Sequence, residues 1–243
     1  MRLGIRLGRL LGQRLGRLLG TALAIFVVIA GLSASRPANP VVCIDPGHPS
    51  EVSLGDEVLH GITEAHADWI VAVKLRAALE ARGISVCMTK EREDTLVRNR
   101  DRAEIANRAG AAMLVRLHCD TGRDSGFAVY YPDRLGTAEG RTGPSKSVRE
   151  SSERAAAAVH AAMAELLVPP LHDGGLLGDS KTYIGGKQGA LTGSIFSEVP
   201  VVTVEMVVLS HAKDAAFIRS DSGSSAIANA IAAGVARYVE GDR

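Results

Sequence analysis

The sequence predicts an α/β fold, a three-layer domain in which a largely parallel, mixed sheet is flanked by helices. Two observations carry that prediction. From Val41 onward, short β-rich apolar runs alternate with longer segments of helical periodicity, the pattern of strand–helix–strand units. The first two helical segments stop on Gly83 and Gly110, each directly before the next apolar run.

The elements follow in order. "VVCI" at 41–44 is a first strand. "TEAHADWIVAVKLRAALEARG" (63–83) places Val71, Leu75, Ala78 and Leu79 on one helical face, with Thr63 as N-cap. "ISVCMTK" (84–90) is a second strand, and "LVRNRDRAEIANRAG" (96–110) a second helix with a charged outer face. "AAMLVRLH" (111–118) and "GFAVYYP" (126–132) are the third and fourth strands, the latter ended by Pro132. Residues 133–147 are polar and Gly-containing, so a loop is expected. An Ala-rich helix runs from Ser151 to Leu167 and stops before Pro169 and Pro170. "VPVVTVEMV" (199–207) is a last strand and "SSAIANAIAAGVARYVE" (224–240) a closing helix.

Ahead of this domain the chain is different in kind. "MRLGIRLGRLLGQRLGRLLG" carries five arginines and no acid, and residues 18–35 are uncharged. A positive start, a short apolar run and the small residues Ser33, Ala34 and Ser35 make residues 1–35 a signal peptide or N-terminal signal anchor. The run is short for a membrane span, which needs about 20 residues. Residues 36–40 are a linker, and 41–243 the catalytic domain of an exported protein, periplasmic or in the cell wall or medium. Membrane contact is expected only through the N-terminal segment, and the domain is expected to be a monomer. A formal net charge of +1 gives no concentrated basic face for nucleic acid. The three cysteines contain no CxxC pair, which excludes thiolate zinc sites of the finger type. Cys43 and Cys87 lie in two candidate neighbouring strands, so either a bridge or two buried thiols fits.

In open α/β sheets ligands bind at the carboxyl ends of the strands. His48 follows the first strand, His118 ends the third, and Glu205 lies near the end of the last. Glu64 opens the first helix and therefore shares that rim. Two imidazoles and one carboxylate suit a catalytic zinc site, with an open position for water and a second carboxylate outside the shell as general base. In "DPGH", Pro46 fixes its φ and Gly47 permits a sharp turn, which holds the His48 ring at the rim. Asp45 either orients His48 or its loop, or caps the turn.

"IDPGH" after a strand, a Glu opening the next helix, "RNRDRAEIANRAGAAMLVRLHCD", "GFAVYYP" and "PVVTVEMVVLSH" together resemble the zinc-dependent N-acetylmuramoyl-L-alanine amidases, the peptidoglycan amidases of the amidase_3 class. The resemblance implies Zn2+ on His48, Glu64 and His118, with Glu205 as the catalytic base. It also implies peptidoglycan as substrate, cut between N-acetylmuramic acid and the L-alanine of the stem peptide. Two other readings share these residues: a different exported zinc peptidase acting on the stem peptide, and a catalytically silent wall-binding regulator. Product analysis discriminates the first; loss of a ligand or of Glu205 would mark the second, and all four are present. The sequence departs from the family pattern where "SIHAN" becomes "RLHCD" and where "GFLSN" becomes "VVLSH". Arg116 then shares a strand face with His118. It either brings a cation near the metal or pairs with an acid on a sheet edge, and the role of His211 stays open.

Overall fold

A computed structural model describes residues 39–241. The expected signal segment and most of the linker lie outside these residues. Among the described residues no helix is long and apolar enough to cross a membrane.

The strands are β1 (Val41–Pro46), β2 (Val58–Leu59), β3 (Ile62–Thr63), β4 (Ser85–Met88), β5 (Met113–Asp120), β6 (Phe127–Tyr131), β7 (Gly136–Ala138), β8 (Arg141–Gly143), β9 (Asp173–Gly178) and β10 (Val201–Val208). The helices are α1 (Glu64–Glu80), α2 (Asn99–Arg108), α3 (Lys146–Leu167), α4 (Tyr183–Gln188), α5 (Thr192–Phe196), α6 (Ala212–Arg219) and α7 (Asp221–Gly241). Six strands form the central sheet in the order β4-β1-β5-β10-β6-β9. Only the β10–β6 pair is antiparallel, so the sheet is mixed and largely parallel, as expected.

Strand alternation sorts the side chains onto two unlike faces. Val42, Ile44, Met113, Val115, Leu117, Val202, Val204 and Met206 point to one side, where they form the main core with α1, α3 and α7. Cys43, Leu114 and Val201 point to the other, against Ala106 of α2. Farther along that second face the apolar residues give way to Asp45, Arg116, His118, Thr203 and Glu205. One face stabilises; the other carries the polar chemistry.

Several elements differ from expectation. Residues 133–147 hold a small hairpin, β7–β8, in place of a loop, and α3 starts at Lys146, capped by Ser145, whose hydroxyl accepts the Val148 N–H at 3.2 Å. β9, α4, α5 and α6 have no counterpart in the sequence reading. Glycine-rich "DGGLLG" and "YIGGKQ" lack the apolar periodicity that marks an element, and they are held by packing and by side-chain bonds. In one such bond the Leu191 N–H reaches Asp179 Oδ2 at 3.1 Å. Cys43 and Cys87 are register partners on β1 and β4, and both are free thiols.

The carboxylate of Asp45 is fully buried at the end of β1. Its Oδ1 accepts Thr89 Oγ1 at 2.6 Å and Arg102 Nη1 at 2.5 Å, and its Oδ2 accepts Arg116 Nε at 3.0 Å. It makes no bond to His48 itself; of the expected roles it takes that of holding the His48 loop, through Arg102. Arg102, also fully buried, donates onward to the carbonyls of Pro46 (2.5 Å), Pro49 (2.7 Å) and Val97 (2.9 Å). The turn carrying His48 is thus tied to α2 through one guanidinium. Burial pushes the Asp45 carboxyl up, but the two arginines and Thr89 outweigh it and bring its pKa down from 3.8 to about 2. A depressed carboxyl stabilises the fold above its unfolded pKa and loses that contribution as pH falls through the folded value. Asp45→Asn should therefore cost about 3–5 kcal/mol near neutrality, because it leaves two buried guanidiniums without a counter-charge. In urea unfolding, the gap between the native and variant proteins should narrow by about 2 kcal/mol as pH drops from about 4 to about 2. A gap of constant size across that window would refute the account.

Candidate active site and metal centre

His48 stands two residues beyond β1. Gly47 N–H donates to Leu117 O at 2.9 Å, which pins the turn against β5. A Cβ on Gly47 would lie 2.6 Å from His118 Nδ1 and 2.7 Å from Asp68 Oδ2, so only glycine lets the chain pass this close to both side chains. His48 Nδ1–H donates to Ser53 O at 3.1 Å. In the neutral ring that bond leaves Nε2 as the lone-pair donor, facing the cleft. Lys90 Nζ donates to the His48 carbonyl, which fixes the backbone as well.

Glu64 is the first residue of α1, and its N-cap Thr63 accepts the His66 N–H at 3.2 Å. Glu64 Oε1 lies 3.1 Å from His48 Nε2 and 3.2 Å from His118 Nδ1, and it accepts the Cys119 N–H at 3.2 Å. The two imidazoles stand edge to face, with centroids 5.2 Å apart at 89°. Burial raises the Glu64 carboxyl, but the hydrogen bonds from His118 and His48 outweigh it and lower its pKa to about 2. Burial lowers His118, while for His48 the Glu64 carboxylate outweighs burial and raises it.

A fourth group joins these three. Asp68, one helical turn after Glu64, is fully buried, and one donor atom from each of His48, Glu64, Asp68 and His118 lies within 4.8 Å of the others. The sequence reading missed Asp68, although its i, i+4 spacing from Glu64 puts both carboxylates on one helical face. Its Oδ2 has no hydrogen-bond partner among the described residues. Burial first, then the charges of Glu64 and Glu205, push its carboxyl pKa well up.

Glu205 on β10 is the register partner of His118 on β5, so the adjacent strands bring the two side chains together. Its Oε2 is shielded from solvent and has no hydrogen-bond partner among the described residues. Burial, with the nearby charges of Glu64 and Asp120, raises its pKa well above the ordinary carboxylate range. His48, His118 and Glu205 line a cleft of about 330 Å³, whose far wall comes from α4 and α5. All four residues predicted from the sequence therefore meet at one place.

The donor set suits a borderline divalent cation. Two imidazole nitrogens and the carboxylate oxygens of Glu64 and Asp68 converge, and Asp68 Oδ2 is buried without a partner among the described residues. The remaining histidines lie elsewhere. His66 pairs with Glu93 at 3.1 Å on the surface, and His160 with Asp173 at 2.8 Å. His211 Nδ1 lies 2.9 Å from Asp214 Oδ1 at the start of α6, and Asp214 also accepts the Gly126 N–H at 2.5 Å. His211 therefore organises the chain after β10, and it is not among the residues lining the cleft. Arg116 pairs with an acid, Asp45, but in the buried interior of the sheet and not on the edge expected.

The geometry and the comparisons with known proteins agree. The family model described as N-acetylmuramoyl-L-alanine amidase matches residues 42–237. An N-acetylmuramoyl-L-alanine amidase of Mycobacterium tuberculosis is 29% identical over 241 residues, covering 87% of this chain and 92% of the relative. Two solved structures share the fold. The N-acetylmuramyl-L-alanine amidase Ami1 from Mycobacterium smegmatis superposes with a TM-score of 0.68 at 24% identity, over 85% of this chain and 100% of that one. The catalytic domain of the amidase CwlV from Bacillus (Paenibacillus) polymyxa var. colistinus gives 0.66 at 22%, over 83% of this chain and 98% of that one. A family match spanning nearly all the described residues, over a cleft built from the motifs that suggested it, settles the classification: the chain belongs to the N-acetylmuramoyl-L-alanine amidase family, Amidase_3.

Proposed function

We propose that this protein is a zinc-dependent peptidoglycan amidase that hydrolyses the bond between the lactyl carbonyl of N-acetylmuramic acid and the L-alanine of the stem peptide. The observation that carries this reading is the convergence of His48, Glu64 and His118 on one point, with Glu205 beside them and outside the group. These three residues would hold the ion, and Asp68 lies close enough to support them. Bound there, zinc supplies Lewis-acid polarisation of the scissile carbonyl and brings the pKa of water down to about 7.

The chain's own residues account for the rest of the reaction. Glu205 Oε2 accepts the proton of the attacking water and returns it to the leaving amide nitrogen, so acid and base are one group used twice. A carboxyl whose pKa is raised by burial holds a proton near neutral pH more readily than a solvated one. The Ser53 carbonyl keeps His48 in the tautomer that donates from Nε2. The amide of Cys119 fixes Glu64 Oε1 in place. None of the cysteines is needed as a nucleophile; the Cys119 thiol is buried and 3.8 Å from Asp68 Oδ1.

We place the reaction outside the cytoplasmic membrane. The Arg-rich start and uncharged run of residues 1–35 support export, with the domain either anchored by that segment or released from it. A reporter fused after Arg243 should be active only when exported; activity confined to the cytoplasm refutes the placement.

Ligand and base should separate by metal content. Glu64→Ala removes one of three zinc ligands and should purify zinc-poor and inactive. Glu205→Ala should purify folded and zinc-loaded, with amide hydrolysis slowed about 10²–10⁴-fold. Elemental analysis of each protein, with mass spectrometry of digested muropeptides, reads both quantities. Zinc loss in Glu205→Ala with retention in Glu64→Ala would exchange the two roles. Full activity of Glu205→Ala would refute the mechanism.

A further inference from the structure

The floor of the cleft carries a second polar row. Arg116 precedes His118 by two residues on β5, and Thr203 precedes Glu205 by two on β10. The parallel register pairs Arg116 with Thr203 just as it pairs His118 with Glu205, and all four side chains line the cleft. Side chains two apart on one strand face are separated by about 6.6–6.8 Å, which sets the distance between the rows.

Both members of the second row are buried and incompletely bonded. Arg116 is 3% exposed. Its Nε donates to Asp45 at 3.0 Å and its Nη2 to Asn99 Oδ1 at 2.6 Å, while its Nη1 has no hydrogen-bond partner among the described residues. Thr203 Oγ1 is shielded from solvent and also has none. A Cβ on Gly193, at the start of α5, would lie 2.7 Å from Nη1, so glycine there leaves the guanidinium its room. Arg116 and Arg102 share the carboxylate of Asp45. Asp179 is buried nearby with its pKa raised by that burial; its Oδ2 is occupied by the Leu191 N–H, and its Oδ1 has no hydrogen-bond partner among the described residues. Unspent donors in a desolvated pocket are costly unless a ligand supplies acceptors.

We propose that Arg116 and Thr203 form a subsite for a carboxylate of the substrate, carried two residues along the peptide from the scissile carbonyl. The inference rests on the amidase reading above. Two residues of extended peptide span at most about 6.6–7.2 Å, which matches the spacing between the catalytic row and the Arg116–Thr203 row. In a stem peptide cut before L-alanine, the group at that distance is the α-carboxyl of the next residue. That carboxyl is anionic when free and neutral when amidated, and a guanidinium distinguishes the two.

The test compares N-acetylmuramoyl-L-alanyl-D-isoglutamate with its α-carboxamide, the D-isoglutamine form, on the full zinc-loaded protein. The native enzyme should favour the carboxylate by about 10–100-fold in kcat/KM. Arg116→Gln should bring that ratio close to one, Arg116→Lys should restore part of it, and Thr203→Val should lower it several-fold. Thr203→Val leaves the Asp45 pair untouched, so it carries the test if Arg116→Gln does not fold. A lost structural role would slow both probes alike and leave the ratio unchanged. Equal cleavage of both probes by the native enzyme, or a ratio that survives both Arg116→Gln and Thr203→Val, overturns the subsite alone. Failure of the native enzyme to cut either probe overturns the amidase reading, and the subsite with it.

Discussion

The buried ion pair between Asp45 and Arg102 is the constraint on which the rest of the site depends. It joins the end of β1 to α2 at 2.5 Å, with both groups fully buried. Arg102 then reaches past the pair to the carbonyls of Pro46 and Pro49, on either side of Gly47 and His48. A turn of four residues is thereby held at its two ends by one planar cation, whose fixed fork of donors suits several acceptors at once. Lys90 adds a third hold, on the His48 carbonyl between them. Burying so much charge is costly, and isolated pairs of this kind often contribute little net stability. Its return is positional: the first metal-capable imidazole is set by the backbone and not by its own side-chain torsions.

That economy explains the crowding around it. Glu64, Asp68 and Glu205 bring three carboxylates near two imidazoles, with burial and mutual repulsion pushing Asp68 and Glu205 well up. Left to itself such an arrangement is electrostatically unfavourable, and a divalent cation at the convergence point removes the conflict. Only Glu64 sits low, because both imidazoles bond to its Oε1. The three acids therefore differ by environment, not by type: one bonded by both imidazoles, one buried against the Cys119 thiol, and one set beside the group on the neighbouring strand. This division is what separates binding metal from moving a proton.

Much of this was legible in the sequence, for physical reasons. β1, β5, β10, α1 and α7 are long or strongly apolar, so their periodicity is visible without tertiary context. The rim residues His48, Glu64, His118 and Glu205 follow from knowing that strand ends face one edge. What was not legible depends on partners distant in sequence. β9, α4 and α5 are glycine-rich segments stabilised by contacts such as Asp179 with Leu191. Asp45 looks like a turn residue in the sequence, and nothing local discloses that Arg102, fifty-seven positions away, meets it. Asp68 is legible as well, since its i, i+4 spacing from Glu64 places both carboxylates on one helical face.

The two faces of the sheet show why catalysis and stability do not compete here. On one side the main apolar core is continuous through α1, α3 and α7, whose buried polar residues are Asp68, Ser152 and Ser224. On the other the apolar clusters are small and confined to α2, α5 and the start of the strands, which leaves the rim half of that face free. Polar side chains there cost little core, and because β5 and β10 are parallel neighbours, each step of two residues adds a pair in register. His118 with Glu205 is one such pair and Arg116 with Thr203 the next. A departure from the family pattern at position 116 therefore falls on the strand where the sheet is free to vary, one step from the chemistry and in line with it.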